Sequence, residues 1–178
     1  MARDHDTQQG AEPRDALDGA TPRLAVIAGY GPVGRLVARQ LEKAGFEIAI
    51  IELNLDTIER QLDLDKRVVF GDVTEEATLK KAGIDRADAF IVAIPDENAA
   101  LAACTLARRL RPQLFIAART NFLSKGLLCQ QAGADYVVVE EVVTAMAMRD
   151  AVVGRLLNAD GDGQAGPTTS RPGRGDGG

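Results

Sequence analysis

The sequence predicts an α/β domain: a doubly wound, parallel, six-stranded sheet with helices on both faces. Three observations predict it. Short apolar runs alternate with helical patterns six times between residues 23 and 157, the rhythm of parallel strands joined by crossover helices. Apolar residues make up 46% of the chain and aromatic residues only 4%, so Val, Ile, Leu and Ala must fill the core, as in a sheet buried on both faces. Glycines at 45, 83 and 133 close three of the helical patterns, where a left-handed residue stops a helix. With 178 residues, the chain suffices for one ordinary domain with a substantial core.

The elements follow in order. Leu24–Ala28 is the first strand, an unbroken apolar run. Pro32 to Ala44 is the first helix, with Pro32 in the first turn, where its missing N–H costs little. Phe46–Glu52 is the second strand. Leu55–Leu64 reads as a helix capped by Asn54. Arg67–Phe70 is a short third strand, and Glu75–Ala82 a short helix capped by Thr74. Ala89–Ile94 is the fourth strand. Asp96–Leu110 is a helix that stops before Pro112. Leu114–Arg119 is the fifth strand, Phe122–Ala132 a helix, Tyr136–Val139 the sixth strand and Glu140–Leu157 the last helix. Residues 1 to 22 are polar and lack an apolar period, and residues 158 to 178 hold seven of the 18 glycines. Both tails are expected to be disordered.

The first strand runs directly into Gly29-Tyr30-Gly31-Pro32-Val33-Gly34. Strand, G-x-G-x-x-G, helix and second strand together are the parts of a Rossmann-like dinucleotide-binding unit. Gly29 permits the tight turn, Gly31 lets backbone approach a pyrophosphate, and Gly34 lets the helix pack on the strand. The helix N-terminus then favours phosphate through its free N–H groups and dipole. Glu52 falls 18 positions beyond Gly34 (52 − 34), at the end of the second strand, where a carboxylate accepts hydrogen bonds from ribose hydroxyls. Its charge disfavours a 2′-phosphate, which points to NAD or an adenine nucleotide before NADP.

Other strand ends face the same crevice. Gly71, Asp72 and Val73 follow the third strand. Asp72 is placed to bond an adenine amino group or a loop N–H, or to serve as a turn residue. Ala93 ends the fourth strand over the point where strand order reverses. Asp96 and Asn98 open the next helix, Asp96 as its cap. Arg119 ends the fifth strand, where a guanidinium meets phosphate or pairs with a surface acid.

Composition excludes several classes. Net charge is −5, with no Lys/Arg run and no aromatic residues interleaved with basic ones, which argues against nucleic acid as a partner. No apolar run approaches the roughly 20 residues of a membrane helix, and the first residues lack the apolar stretch of a signal peptide. A cytoplasmic protein is expected. The only histidine, His5, lies in the polar tail, and no His/Cys spacing suggests a metal site. Cys104 and Cys129 sit among apolar neighbours and read as reduced structural thiols.

With these residues together, the chain resembles the RCK N-terminal, or TrkA-N, family from about Leu24 to Val153. The resemblance rests on Val26 through Gly34, Ile51-Glu52, Val69-Phe70-Gly71-Asp72-Val73-Thr74, Ala87 through Val92, Asp96-Glu97-Asn98, Ile116 through Arg119, and Ala132 through Val138. It implies a regulatory module, not an enzyme. Such domains hold NAD or NADH, ATP, ADP or AMP, and pair as homodimers or higher even-numbered oligomers. They transmit ligand state to a membrane potassium channel or transporter. By motif position, binding roles fall to Gly29, Tyr30, Gly31, Pro32, Val33, Gly34, Glu52, Asp72, Val73, Ala93, Asn98 and Arg119. The family often carries Pro-Glu after the sixth strand, where this chain reads Val139-Glu140-Glu141. That departure leaves a cation role for Glu141 unsupported.

The last helix carries apolar residues on more than one stripe, among them Val142, Val143, Met146, Val152, Val153 and Leu156. A monomer's surface helix shows one apolar face, so a partner subunit or burial within the domain is expected. Two alternative functions compete with regulation. An NAD-dependent oxidoreductase needs a proton donor or acceptor beside the nicotinamide, and Tyr136 has Glu140, not Lys, four residues on. A ligand-free interaction scaffold would have no use for the glycines and Glu52.

Overall fold

Every residue of β1, Leu24–Ala28, is buried, as a central parallel strand must be when both faces and both edges are covered. The computed structural model describes residues 22–54, 56–57 and 66–159. The other strands are β2 (Glu47–Glu52), β3 (Arg67–Phe70), β4 (Ala89–Val92), β5 (Phe115–Thr120) and β6 (Tyr136–Val139). The described helices are α1 (Pro32–Lys43), α2 (Glu76–Ala82), α3 (Glu97–Leu110), α4 (Leu123–Gln131) and α5 (Glu140–Ala159). The strands form one parallel sheet in the order β3-β2-β1-β4-β5-β6. The expected α/β, Rossmann-like class is therefore the one observed.

Right-handed crossovers divide the helices between the faces. From β1 the chain steps outward to β2, which puts α1 on one face. From β3 it crosses back to β4 and continues outward, which puts α2, α3 and α4 on the other. Two cores result. Under α1 lie Ala25, Ile27, Ala38, Ile48 and Ile50. Beneath α2 to α4 lie Val26, Ile51, Phe90, Val92 and Ile116, against Ala100, Ala103, Cys104 and Ala107 of α3. Successive strand residues alternate between the two. Both cysteines are free and fully buried. Burial pushes the Cys104 thiol up to about 12, which leaves it protonated and unreactive at neutral pH.

The differences from the sequence reading are local. Thr74 does not cap the helix after β3. Its hydroxyl donates to Asp72 Oδ1 at 2.8 Å, and Glu75 takes the cap position without a side-chain bond. The expected fourth strand ends at Val92, although Ala93 N–H still donates to the Ala28 carbonyl. Asp96 caps α3 as expected, accepting from the N–H groups of Asn98 and Ala99. The helix expected over 55–64 lies outside the described residues except for 56 and 57, as do the two tails apart from residues 22, 158 and 159.

Coverage of the sheet is uneven. Among the described residues α1 reaches only as far as β4, and β5 and β6 lie open on that side. Phe115 is 50% exposed there and Tyr136 61%. These residues, with Val33 and Val37 of α1, line an apolar groove of about 390 Å³. Helix α5 is equally unpartnered: residues 141 to 153 are all exposed, Met146 to 52%. Burial of this helix within its own described domain is thus ruled out.

The tightest contact in the fold lies between α1 and β1. A Cβ at Gly34 would sit 2.0 Å from the Gly29 carbonyl oxygen. We expect Gly34→Ala to destabilise the domain by about 3 kcal/mol, read as a lowered midpoint in urea with an unchanged slope. A midpoint equal to wild type would show that the contact yields.

Candidate functional site

β1 lies between β2 and β4, which the chain reaches in opposite directions, so the loops above β1 and β4 part. Ligand crevices of open α/β sheets form at such reversals. Here a cavity of about 650 Å³ opens beside the carboxyl ends of β2, β3 and β4. Glu52, Asn54, Phe70, Asp72, Val73, Ile94 and Asp96 are among its walls.

The three motif glycines serve different ends. Gly29 has φ +89, and a Cβ there would meet Ile94 Cγ2 at 2.9 Å. Gly34 is closed by the contact described above. Gly31 is different. It caps α1 with φ −68 and ψ −170, a conformation open to any residue, and a Cβ on it would meet nothing within 4 Å. The fold needs glycine at 29 and 34; nothing in the described protein needs it at 31. The free N–H groups at the start of α1 face that open space.

Glu52 ties this loop to the next. Its Oε2 accepts the Tyr30 N–H at 2.9 Å, and its Oε1 accepts those of Leu53 and Asn54 at 2.8 and 2.9 Å. The carboxylate thus stands at the crevice rim, held by backbone from both sides. Tyr30 contributes its N–H there and not its phenol. The ring is 3% exposed and packs into the core beneath α1. Its hydroxyl accepts from Lys66 Nζ at 3.0 Å, and Lys66 also pairs with Glu42.

Asp72 closes a turn in the cavity wall. Its Oδ1 accepts the backbone N–H and the hydroxyl of Thr74, both at 2.8 Å. These bonds, the backbone one first, hold its carboxyl below the ordinary aspartate value. Because the folded group titrates lower than the unfolded one, the turn favours the fold at neutral pH. That contribution is lost as acid protonates Asp72. Val73 lines the same cavity beside it.

The remaining predicted residues do not line the larger cavity. Ala93, Val33 and Arg119 line the apolar groove, not the larger cavity. Arg119 Nη1 pairs with Glu140 Oε1. Asn98 stands in the first turn of α3, its Oδ1 accepting from Lys125 Nζ at 3.0 Å. Pro32 occupies the first position of α1. The structure therefore brings Glu52, Asp72 and Val73 to one cavity, ties the glycine loop to it through the Tyr30–Glu52 bond, and places Arg119 in the separate groove.

Sequence reasoning missed three contributions. Asn54 and Asp56 line the cavity, and their place just past Glu52 was the available signal. Glu97 Oε1 accepts the Asn121 N–H at 2.8 Å, and Glu141 Oε1 accepts that of Leu123 at 2.7 Å. Two carboxylates thus satisfy the start of α4, a role no local pattern announces.

Fold and site together define a Rossmann-like domain with a crevice at the carboxyl ends of β2, β3 and β4, bordered by the glycine turn through Glu52. The TrkA-N domain family matches residues 25–140, and the chain belongs to it. It is 32% identical over 126 residues to the glutathione-regulated potassium-efflux system protein KefC of Cronobacter sakazakii, covering 71% of this chain and 20% of that protein. It is 38% identical over 90 residues to a Trk system potassium uptake protein TrkA homolog of Pyrococcus abyssi, covering 50% and 40%. The chain thus spans about a fifth to two fifths of the length of these relatives.

Solved structures agree. The TrkA-N domain of the inner membrane protein YbaL from Escherichia coli superposes with TM-score 0.68 at 25% identity, covering 74% of this chain and 97% of that one. The GsuK channel bound to NAD gives TM-score 0.67 at 29% identity, covering 82% and 25%. The Shewanella denitrificans Kef C-terminal domain in AMP-bound form gives 0.66 at 26% identity, covering 75% and 81%. Among the described residues no helix is long and apolar enough to cross a membrane.

Replacing Glu52 with Ala leaves three N–H groups without their acceptor. We expect a loss of about 1–2 kcal/mol and faster amide exchange at Tyr30, Leu53 and Asn54. Unchanged exchange at Tyr30 would show that the carboxylate does not hold the loop.

Proposed function

We propose that this chain is a nucleotide-sensing regulatory domain that controls potassium ion transport by holding NAD(H) or an adenine nucleotide at the glycine turn. The observation that carries this reading is Gly31. Its missing side chain serves no contact within the described fold, yet it keeps open the space in front of the α1 N-terminus. A bound phosphate is the one occupant that both the gap and the N–H groups suit. Gly29 and Gly34 shape the turn, Tyr30 to Val33 present backbone, and Glu52 takes the sugar hydroxyls. Asp72 and Val73 flank the base, while Ala93, Asn98 and Arg119 meet the distal part of the ligand.

Neighbours bound to NAD, ADP and AMP support this ligand class. Glu52 favours a free 2′-hydroxyl over a 2′-phosphate. Among the described residues, the walls of the larger cavity carry no His, Lys or Tyr to move a proton, which favours the regulatory reading over the oxidoreductase alternative. A ligand-free scaffold would leave Gly31 and the preformed crevice without a purpose. The relatives' potassium-efflux and potassium-uptake names support a cytoplasmic setting beside a membrane potassium channel or transporter.

The same reading makes the domain a homodimer. Helix α5 begins on the residue after β6, with no linking residue to turn it back over its own sheet. The bare sheet face and the bare helix are both apolar, so two copies can cover each other reciprocally.

Calorimetry with NAD, NADH, ATP, ADP and AMP tests the ligand reading. At least one should bind below millimolar concentration, and Gly31→Val should abolish binding while leaving thermal stability within a few degrees. If none binds the wild-type chain, the reading fails. Light scattering should give twice the monomer mass, falling to the monomer in Met146→Asp. A wild-type monomer at micromolar concentration would remove the dimer.

A further inference from the structure

Tyr30 is the one residue with a side chain in Gly29-Tyr30-Gly31. Its neighbours are glycines, the residue type with the widest backbone freedom. Order in this turn therefore depends on what holds Tyr30, and two groups do. At the crevice rim the Glu52 carboxylate accepts its N–H. The side chain runs the other way, into the core beneath α1 beside Ala38, Ile48 and Ile50. There the hydroxyl accepts from Lys66 Nζ at 3.0 Å. Apolar packing alone would be met by a phenylalanine, whereas a hydroxyl taken out of water needs a partner.

Lys66 is well placed to be that partner. It immediately precedes β3, whose position is set by its ladder to β2. Its side chain is only 14% exposed, and its Nζ lies 3.1 Å from Glu42 Oε1 in the last turn of α1. An ammonium has three donors and no acceptor, so it serves the phenol and the carboxylate at once. A hydrogen bond from a charged donor is also among the stronger ones. One side chain thus ties the glycine turn to the far end of α1 and to the entry of β3. A second ion pair, Arg86 with Glu47 at 3.2 Å, lines the same groove of about 330 Å³ and does not involve Tyr30.

We propose that Lys66 is a positioning residue for the nucleotide and acts through the Tyr30 phenol on the glycine turn. The inference rests on the nucleotide reading above and adds to it a residue outside the crevice. The ammonium does not touch the ligand. It fixes the side chain of Tyr30 while Glu52 fixes the backbone, so the turn is set before a phosphate arrives. With the phenol bond cut, Tyr30 is restrained by its N–H and its ring packing alone. The ligand must then order Gly29 to Gly31 itself, and that ordering is subtracted from its affinity.

The test is calorimetry with NAD, ADP and AMP on the wild-type chain, Tyr30→Phe, Lys66→Met and the double variant. Each single change should weaken binding by at least about fivefold, and the double variant should be no weaker than either single one, the mark of one shared contact. Lys66→Arg, which still donates to both the phenol and Glu42, should recover most of the affinity lost in Lys66→Met. Arg86→Gln, which breaks the neighbouring pair, should leave affinity unchanged. In ligand-free Lys66→Met, amide exchange should quicken at Tyr30 and Gly31 while Val26 and Ile27 in β1 keep their wild-type rates, as a general loss of stability would not allow. Additive effects in the double variant, or full affinity in Lys66→Met, overturn the inference while nucleotide binding stands. Failure of all three nucleotides to bind wild type overturns both readings.

Discussion

Helix α1 leaves β1 so tightly that only a hydrogen fits between the Gly34 Cα and the Gly29 carbonyl oxygen. That contact decides where the helix begins. It sets the free N–H groups of α1 at the carboxyl edge of the central strand, above the point where the winding of the sheet reverses. Gly29 N–H donates to the Ile51 carbonyl at 2.9 Å, so β2 is drawn in beside the turn. Glu52, the next residue on β2, then faces Tyr30 at hydrogen-bond distance. Crevice, helix end and carboxylate are consequences of one close approach, which is why two of the three glycines are structural before they are functional.

Much of this was legible in the sequence because it is local. Strands β1, β3 and β6 match the expected bounds residue for residue, because each is a short run of β-favouring residues closed by glycine or by a helix. The crevice residues Glu52, Asp72 and Asp96 were legible because strand ends in such folds point one way. What escaped depends on contacts far apart in the chain. Tyr30 sits in the ligand motif yet turns its ring into the core, because Ala38, Ile48 and Ile50 offer it an apolar bed. Thr74 looked like a cap, but Asp72 claims its hydroxyl. The bare face over β5 and β6 follows from which side each crossover takes, and no single segment reveals that.

Two aspartates that entered only as family signature have the same physical task. Asp88, before β4, accepts the Leu24 N–H at 2.9 Å, and Asp135, before β6, accepts the Ile116 N–H at 2.7 Å. Each satisfies a donor near the start of a neighbouring strand, at the edge of the sheet opposite the crevice. Arg108 reinforces the second, bonding Asp135 and the carbonyls of Gly133, Pro112 and Leu114. The Ala-Asp-Ala and Gly-Ala-Asp patterns therefore report sheet construction. The ligand-facing signature is confined to the other edge, and a change at Asp88 or Asp135 is a stability change first.

The two halves of the crevice are prepared differently, and that difference bears on regulation. On the sugar side, Glu52 already accepts three N–H groups. A carboxylate has about four lone-pair positions, so a hydroxyl adds to the arrangement without dismantling it. On the far side, Arg119 is held by Glu140, and any anion arriving there must break a contact to make one. A ligand shifts an equilibrium only by binding its two states unequally. A hydroxyl at Glu52 would add to bonds already made, whereas an anion at Arg119 would have to displace Glu140.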